Sequence, residues 1–147
     1  MIRFRDATRE DVPAVVALLA EDTLGATREG TDLAPYLAAF DTMQAERANT
    51  LIVGEEAGRI VATCQITFIT GLSLRASRRA QVESVRVASD LRGRGIGAAL
   101  MAEAEARARA AGCALVQLTT NRARADAHRF YERLGFTPSH LGFKKLL

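Results

Sequence analysis

Val82-Glu83-Ser84-Val85-Arg86-Val87, followed four residues later by Arg92-Gly93-Arg94-Gly95-Ile96-Gly97, decides how this chain is read. The first stretch is rich in β-branched residues and is expected to be a strand. Behind the second, residues 96–111 place Ile96, Leu100, Ala104, Ala108 and Ala111 on one helical face. Glu103 with Arg107, and Glu105 with Arg109, stand four apart in the order that supports a helix. Gly112 is a natural stop. A glycine loop therefore opens directly into a helix. Glycine lets the backbone approach a bulky group. The first N–H groups of the helix lack intrahelical partners, and the positive end of the dipole faces the loop. Arg92 and Arg94 add charges suited to phosphate. The pattern describes a cradle for a phosphorylated ligand, in preference to a flexible turn ahead of an arginine-rich helix.

Two better-known phosphate loops fit poorly. Gly93-x-Gly95-x-x-Ala98 satisfies the dinucleotide fingerprint, but that turn follows its strand at once, and here the strand ends near Val87. The next strand closes on Thr119-Thr120-Asn121, with no acidic residue for a ribose. A P-loop needs a lysine after its last glycine, and none is present.

Working outward, Ile2-Arg3-Phe4-Arg5 alternates as a strand should. Thr8 is placed to cap a helix over residues 10–21, with Asp11 at the capping-box position and Pro13 in the first turn. Residues 25–32 read as a loop. Residues 33–47 read as a second helix, with Leu33, Leu37 and Phe40 on one side. Residues 51–53 and 59–69 are strands joined by a hairpin turn at Glu55-Glu56-Ala57-Gly58. Residues 71–79 are a loop, 80–87 and 114–120 strands, and 125–134 a helix stopped by Gly135. Phe136-Thr137 and residues 141–146 are expected to be closing strands around Pro138-Ser139-His140. The order β-α-α-β-β-β-α-β-α-β-β describes one α+β domain over residues 1–147, with a mixed central sheet flanked by helices.

Bulk properties narrow the function. At 147 residues the chain is long enough to bury a core as one domain. No apolar run approaches the ~20 residues of a membrane span, and the N-terminus lacks a signal peptide's apolar stretch, so a cytoplasmic protein is expected. Cys64 and Cys113 are expected to be reduced core thiols. The net charge of +3 and the absence of tryptophan argue against a nucleic-acid binder, which concentrates its charge and adds stacking groups. His128 and His140 are isolated, and no His/Cys/Asp spacing indicates a metal site.

Residues 81–97 resemble the GNAT superfamily of N-acetyltransferases. Its acetyl-CoA signature, Arg/Gln-x-x-Gly-x-Gly/Ala after a strand, is matched by Arg92, Gly95 and Gly97. The resemblance implies that the N–H groups of Arg92, Gly93, Arg94, Gly95, Ile96 and Gly97 hold the pyrophosphate of acetyl-CoA. It also lays the pantetheine arm along Val85, Arg86 and Val87, with the two valines pairing backbone to backbone. His128-Arg129-Phe130-Tyr131-Glu132-Arg133-Leu134-Gly135-Phe136 is similar to the family's Ala-x-x-x-Tyr-x-x-x-Gly-Phe segment, with Ala127 in register. The implied role of Tyr131 is general acid toward the CoA sulfur. A family asparagine before that alanine is replaced by Arg124; Asn121 stands three residues earlier, and either is a candidate contact to CoA.

Acyl transfer to an amine needs a base to take the amine proton. Glu83 is the candidate, since uninterrupted alternation puts it on one face with Val85 and Val87, where partial desolvation would raise its pKa. A bulge would change that facing. The expected activity is transfer from acetyl-CoA to the primary amine of a small molecule. Rival readings are a protein or peptide N-acetyltransferase and a CoA-binding regulatory module without turnover. The stretch from Leu118 to His140 is similar to that of bacterial aminoalkylphosphonate acetyltransferases, on the CoA side. Relatives are often homodimers, so a homodimer is expected. The acceptor pocket is expected from residues 23–37 and 68–81.

Overall fold

The computed structural model describes residues 1–21 and 23–147. They fall into two compact units, Met1–Gln117 and Leu118–Leu147. The first is built on a five-stranded mixed sheet of order β1-β2-β3-β4-β5. Its strands are β1 (Arg3–Asp6), β2 (Asn49–Glu56), β3 (Arg59–Ile69), β4 (Arg79–Val87) and β5 (Leu115–Leu118). The first four pair antiparallel in succession. The β2–β3 turn is Ala57-Gly58, with φ of 51° and 78°. Positive φ at both turn residues matches the right-handed twist of the flanking strands, so β2 extends well beyond the expected residues 51–53, while β3 spans the residues expected of it.

Strand pairing sorts the side chains onto two faces. Ile52 lies opposite Cys64, and Ile66 opposite Val82. That face packs against α5 (Ile96–Ala110), whose buried stripe is Ile96, Leu100, Met101, Ala104 and Ala108. The small residues of the stripe let helix and sheet approach closely. On the other face, Val53 packs with Val12, Val15 and Val16 of α1 (Val12–Ala20) and with Phe40 of α3 (Ala34–Glu46). Leu18 of α1 reaches Val61 and Ala88.

The start of α1 is a single 3-10 turn, Arg9–Asp11, preceded by Thr8. Asp11 Oδ2 accepts from the Thr8 N–H at 2.7 Å, the reciprocal half of a capping box. Arg5 donates to both Asp11 oxygens (2.7 and 3.1 Å) and to Glu55 (2.9 Å), which ties strand β1 to that turn and to β2. The Arg5 guanidinium holds the Asp11 carboxyl below its usual range.

Three expectations are corrected. Residues 25–32 are not wholly a loop: α2 spans Thr23–Arg28 and lies against α1. Gly25 is buried there, so close packing outweighs the roughly 1 kcal/mol that a glycine costs inside a helix. The closing strands do not form. In the second unit the one element is α6 (Ala125–Arg133), and residues 136–147 carry no strand. Leu141, Phe143 and Leu146 are 69%, 92% and 96% exposed. Strand composition alone does not hold a ladder, and a lone two-stranded hairpin is marginal in water. The loop expected at residues 71–79 holds a single turn, α4 (Ser73–Ala76), in which Leu74, Arg75 and Ala76 all have positive φ.

Candidate active site

The site is built around the end of β4. The β3–β4 ladder pairs Gln65 with Glu83 but Thr63 with Arg86, so one extra residue is inserted in β4. Ser84, with φ of 55°, is the irregular residue. This bulge overturns the expected facing of Glu83. Val87 pairs with Ala62, on the face of Ile66 and Val82, whereas Glu83 pairs with Gln65 on the opposite face, together with Arg86. Glu83 is exposed, so the desolvation expected from neighbouring valines is absent. The carboxylate instead stands exposed on a polar stretch of sheet.

The other edge of β4 faces β5. Ala114 N–H donates to the Arg78 carbonyl at 2.8 Å, and Gln117 Nε2 donates to Gln81 Oε1 at 2.7 Å. The two contacts advance together along both strands, so β5 runs parallel to β4. β5 is only four residues long. β4 continues past its end through Val85, Arg86 and Val87, all half-buried. Among the described residues no strand extends along that part of β4 on this side. The Val85 carbonyl accepts from Arg86 Nη1 at 2.9 Å, and this edge is where an extended ligand with amide groups could add as a strand.

Next comes the cradle. The Ala88 N–H bonds to the Val61 carbonyl at 2.8 Å, and a 3-10 turn, Ser89–Leu91, leads to Arg92. Gly93 and Gly95 have φ of 82° and 78°, and a Cβ at either would meet no neighbouring atom. Backbone conformation, not crowding, is what selects glycine here. Gly95 is the N-cap of α5, with no side chain capping that end. The first N–H groups of α5 thus point into a loop of small residues. Arg92 is exposed; Arg94 pairs with Glu56 at 3.3 Å across the loop's flank and lowers that carboxyl's pKa. Arg59 clamps Asp90 through two 2.8 Å hydrogen bonds and steadies the approach to the loop. Ile96 is buried and anchors it from below. Three features follow one another along the chain: the bulge, a strand edge that no described strand covers, and the glycine-lined helix start.

In the second unit, Tyr131 is half-buried between Phe130 and Phe136, edge-on to each, with ring centroids 5.0 and 5.7 Å away. The helix end fixes it. The Gly135 N–H bonds to the Glu132 carbonyl and the Phe136 N–H to the Tyr131 carbonyl, both at 3.0 Å, with Gly135 at φ of 93°. This is a Schellman motif, and the Tyr131–Phe136 contact is its hydrophobic closure. The Tyr-x-x-x-Gly-Phe spacing is therefore structural as well as chemical. At the other end of α6, Asn121 Oδ1 accepts from the Ala123 N–H at 2.9 Å and the Asn121 carbonyl accepts from His128 Nε2 at 3.0 Å. His128 thus has a local structural partner. Arg124 is the N-cap residue of α6 and half-buried, and Ala127 lies one turn before Tyr131.

Reading the sequence missed the bulge. Ser84 carries no signature of a left-handed residue, since a glycine or asparagine there would have been the usual signal. Cys64 is fully buried, which pushes its thiol up to about 12 and leaves it inert, and both cysteines are free. Among the described residues no His/Cys/Asp/Glu group has the arrangement of a metal site, and no helix is long and apolar enough to cross a membrane.

Comparison with known proteins agrees with this geometry. Residues 14–136 match the acetyltransferase (GNAT) family. Over 67 residues the chain is 43% identical to the aminoalkylphosphonate N-acetyltransferase of Salmonella typhimurium (strain LT2), a match covering 46% of this chain and 44% of that protein. The chain thus aligns with less than half the length of that curated relative. Among solved structures it is similar to a transcriptional regulator from Bacillus halodurans C-125, 41% identical, with a TM-score of 0.96 over 100% of both chains. It is also similar to a protein taken to be an acetyltransferase from Agrobacterium tumefaciens str. C58, 30% identical, with a TM-score of 0.88 over 99% of each chain.

Proposed function

Because this chain belongs to the acetyltransferase (GNAT) family, a family of acyl-transferring enzymes, we propose that it moves an acetyl group from acetyl-CoA to the primary amine of a small molecule. The observation that carries the reading is the bulged β4 running past β5 into a glycine-lined helix start. The N–H groups of residues 92–97 hold the pyrophosphate, with Arg92 adding charge. The backbone of Val85 and Val87 holds the pantetheine amides, and Asn121, Arg124 and Ala127 supply contacts from the start of α6.

The reaction is a direct displacement. The neutral amine nitrogen bonds to the thioester carbon, the carbon–sulfur bond breaks, and the amide and free CoA are the products. Glu83 takes the proton that the nitrogen loses, and Tyr131 donates one to the departing sulfur. A phenol of ordinary pKa ~10 gives its proton to an alkyl thiolate at little cost. Preorganised N–H groups near the bulge stabilise the oxyanion formed between bond making and bond breaking. The family match runs from residue 14 to 136 across the boundary between the two compact units, which supports one acetyltransferase domain over residues 1–147. The named substrate of the Salmonella relative supports a small-molecule acceptor over a protein. The family resemblance is the support for a homodimer, which light scattering on the purified chain tests.

Calorimetric titration with acetyl-CoA tests the donor assignment. Saturable binding that weakens at least tenfold in Arg92→Glu is expected; no binding at millimolar acetyl-CoA would end the reading. The name of the Bacillus halodurans structure favours a second reading, a CoA-binding regulator. Binding of acetyl-CoA with no free CoA formed in the presence of any amine is its distinguishing result.

A further inference from the structure

The face of the sheet that carries Glu83 is apolar where α1 and α3 cover it and polar beyond. Along β4, the residues on that face are Arg79, Gln81, Glu83 and, past the bulge, Arg86, paired with Ile69, Thr67, Gln65 and Thr63 of β3. Gln117 of β5 joins the row through its hydrogen bond to Gln81. Without the bulge, Arg86 would fall on the α5 side. The extra residue at Ser84 therefore puts two guanidinium groups on the face of one carboxylate.

Arg79 is half-buried, and its Nε is shielded from solvent without a hydrogen-bond partner among the described residues. A shielded donor on a charged group is costly to leave unmade, and such a cost is kept where a ligand satisfies it. The adjacent Arg78 is otherwise engaged. It lies over the Phe68 ring, 5.1 Å from its centroid, and donates to the Ala111 carbonyl on the α5 side. The Nε of Arg78 is shielded in the same way as that of Arg79, but its Nη1 is engaged, whereas no hydrogen bond of the Arg79 guanidinium is found among the described residues. Four residues of strand, roughly 13 Å, separate it from Glu83. Gln81 and Thr67 lie between them in the row, a spacing that suits a short aliphatic molecule.

From this row, and resting on the assignment of Glu83 as the base, we propose that the acceptor amine carries an anionic group, a phosphonate, phosphate or carboxylate, and that Arg79 binds it. The guanidinium fork presents paired N–H donors that match two oxygens of such a group. Gln81 and Thr67 bracket the middle of the acceptor with neutral polar groups. Arg79 is thereby a specificity-determining residue for the transfer.

The test compares kcat/KM for aminoethylphosphonate, beta-alanine, ethanolamine and putrescine at saturating acetyl-CoA, in the unaltered chain and in Arg79→Gln and Arg79→Lys. At least one of the two acidic acceptors is expected to exceed both others at least tenfold. Arg79→Gln is expected to raise the KM for that acceptor roughly 10- to 100-fold, the loss of a charge-assisted pair of hydrogen bonds, with the KM for acetyl-CoA retained. Arg79→Lys restores part of the preference. Transfer to ethanolamine or putrescine at equal or greater kcat/KM overturns the proposal and leaves the acetyltransferase reading intact. An acidic preference undiminished in Arg79→Gln removes the assignment to Arg79. No transfer to any amine sinks both readings. Should Arg79→Gln fail to fold, the panel on the unaltered chain and on Arg79→Lys still decides.

Discussion

Tyr131 and Glu83 carry the proposed proton transfers, and each is held in a way that makes its removal informative. The Tyr131 ring is fixed by Phe130, Phe136 and the helix end, so Tyr131→Phe keeps the packing and deletes only the hydroxyl. Loss of a general acid predicts a fall in kcat of about 100-fold or more with little change in the KM for acetyl-CoA, read by steady-state kinetics. Glu83→Gln is expected to remove the acidic limb of the pH–rate profile, because an amide does not titrate; a profile identical to that of the parent puts the base elsewhere. The two residues were not equally legible. Tyr131 is marked by Gly135 and Phe136, whose spacing a Schellman motif enforces. The surroundings of Glu83 depend on a left-handed serine, for which the sequence holds no sign, so strict alternation turned Val87 to the wrong face.

At the scale of elements, the glycine loop and the bulged strand do the positioning. Gly95 caps α5 at φ of 78°, so Gly95→Ala is expected to lose about 1 kcal/mol of stability and to weaken acetyl-CoA binding, measured by thermal melting and titration on one sample. A β-branched residue tolerates positive φ less well still. Ser84→Val is therefore expected to straighten or destabilise β4 and depress turnover more than it alters the melting temperature, since the bulge aims Glu83 and Arg86. Elements with strong periodicity or a defined stop were readable in advance: α3, β3 and α5 lie where their residues indicate. Helix α2 was not, because a glycine within six residues conceals a helix that its packing on α1 supports. The closing strands were over-read for the converse reason. Phe136-Thr137 and residues 141–146 have strand composition, but a strand exists only with a partner.

For the molecule as a whole, stability rests on a sheet packed against α5 on one face and against α1 and α3 on the other, and on ionic braces of which Arg5 is the centre of one. Arg5 binds Asp11 and Glu55 at once, joining β1, the turn before α1 and β2. The folded-state pKa of Asp11 is depressed, chiefly by Arg5. Its contribution is therefore present above the unfolded value of about 3.9 and is lost as pH falls through the lower folded value. Asp11→Asn is expected to cost about 2 kcal/mol at neutral pH in denaturant unfolding and to make stability less sensitive to pH below about 4. The α+β architecture was legible because the order of elements, the hairpin and the final crossover helix each have local signals. What receives the acetyl group was not, because the acceptor face is assembled from alternate residues of β4 and β3 whose facing the bulge resets. The central claim is catalytic transfer from acetyl-CoA to an amine, and its most direct measurement follows free thiol while the purified chain is offered acetyl-CoA and a panel of primary amines. Amine-dependent thiol release, matched mole for mole by N-acetylated product, is predicted; acetyl-CoA that stays intact with every amine would contradict it.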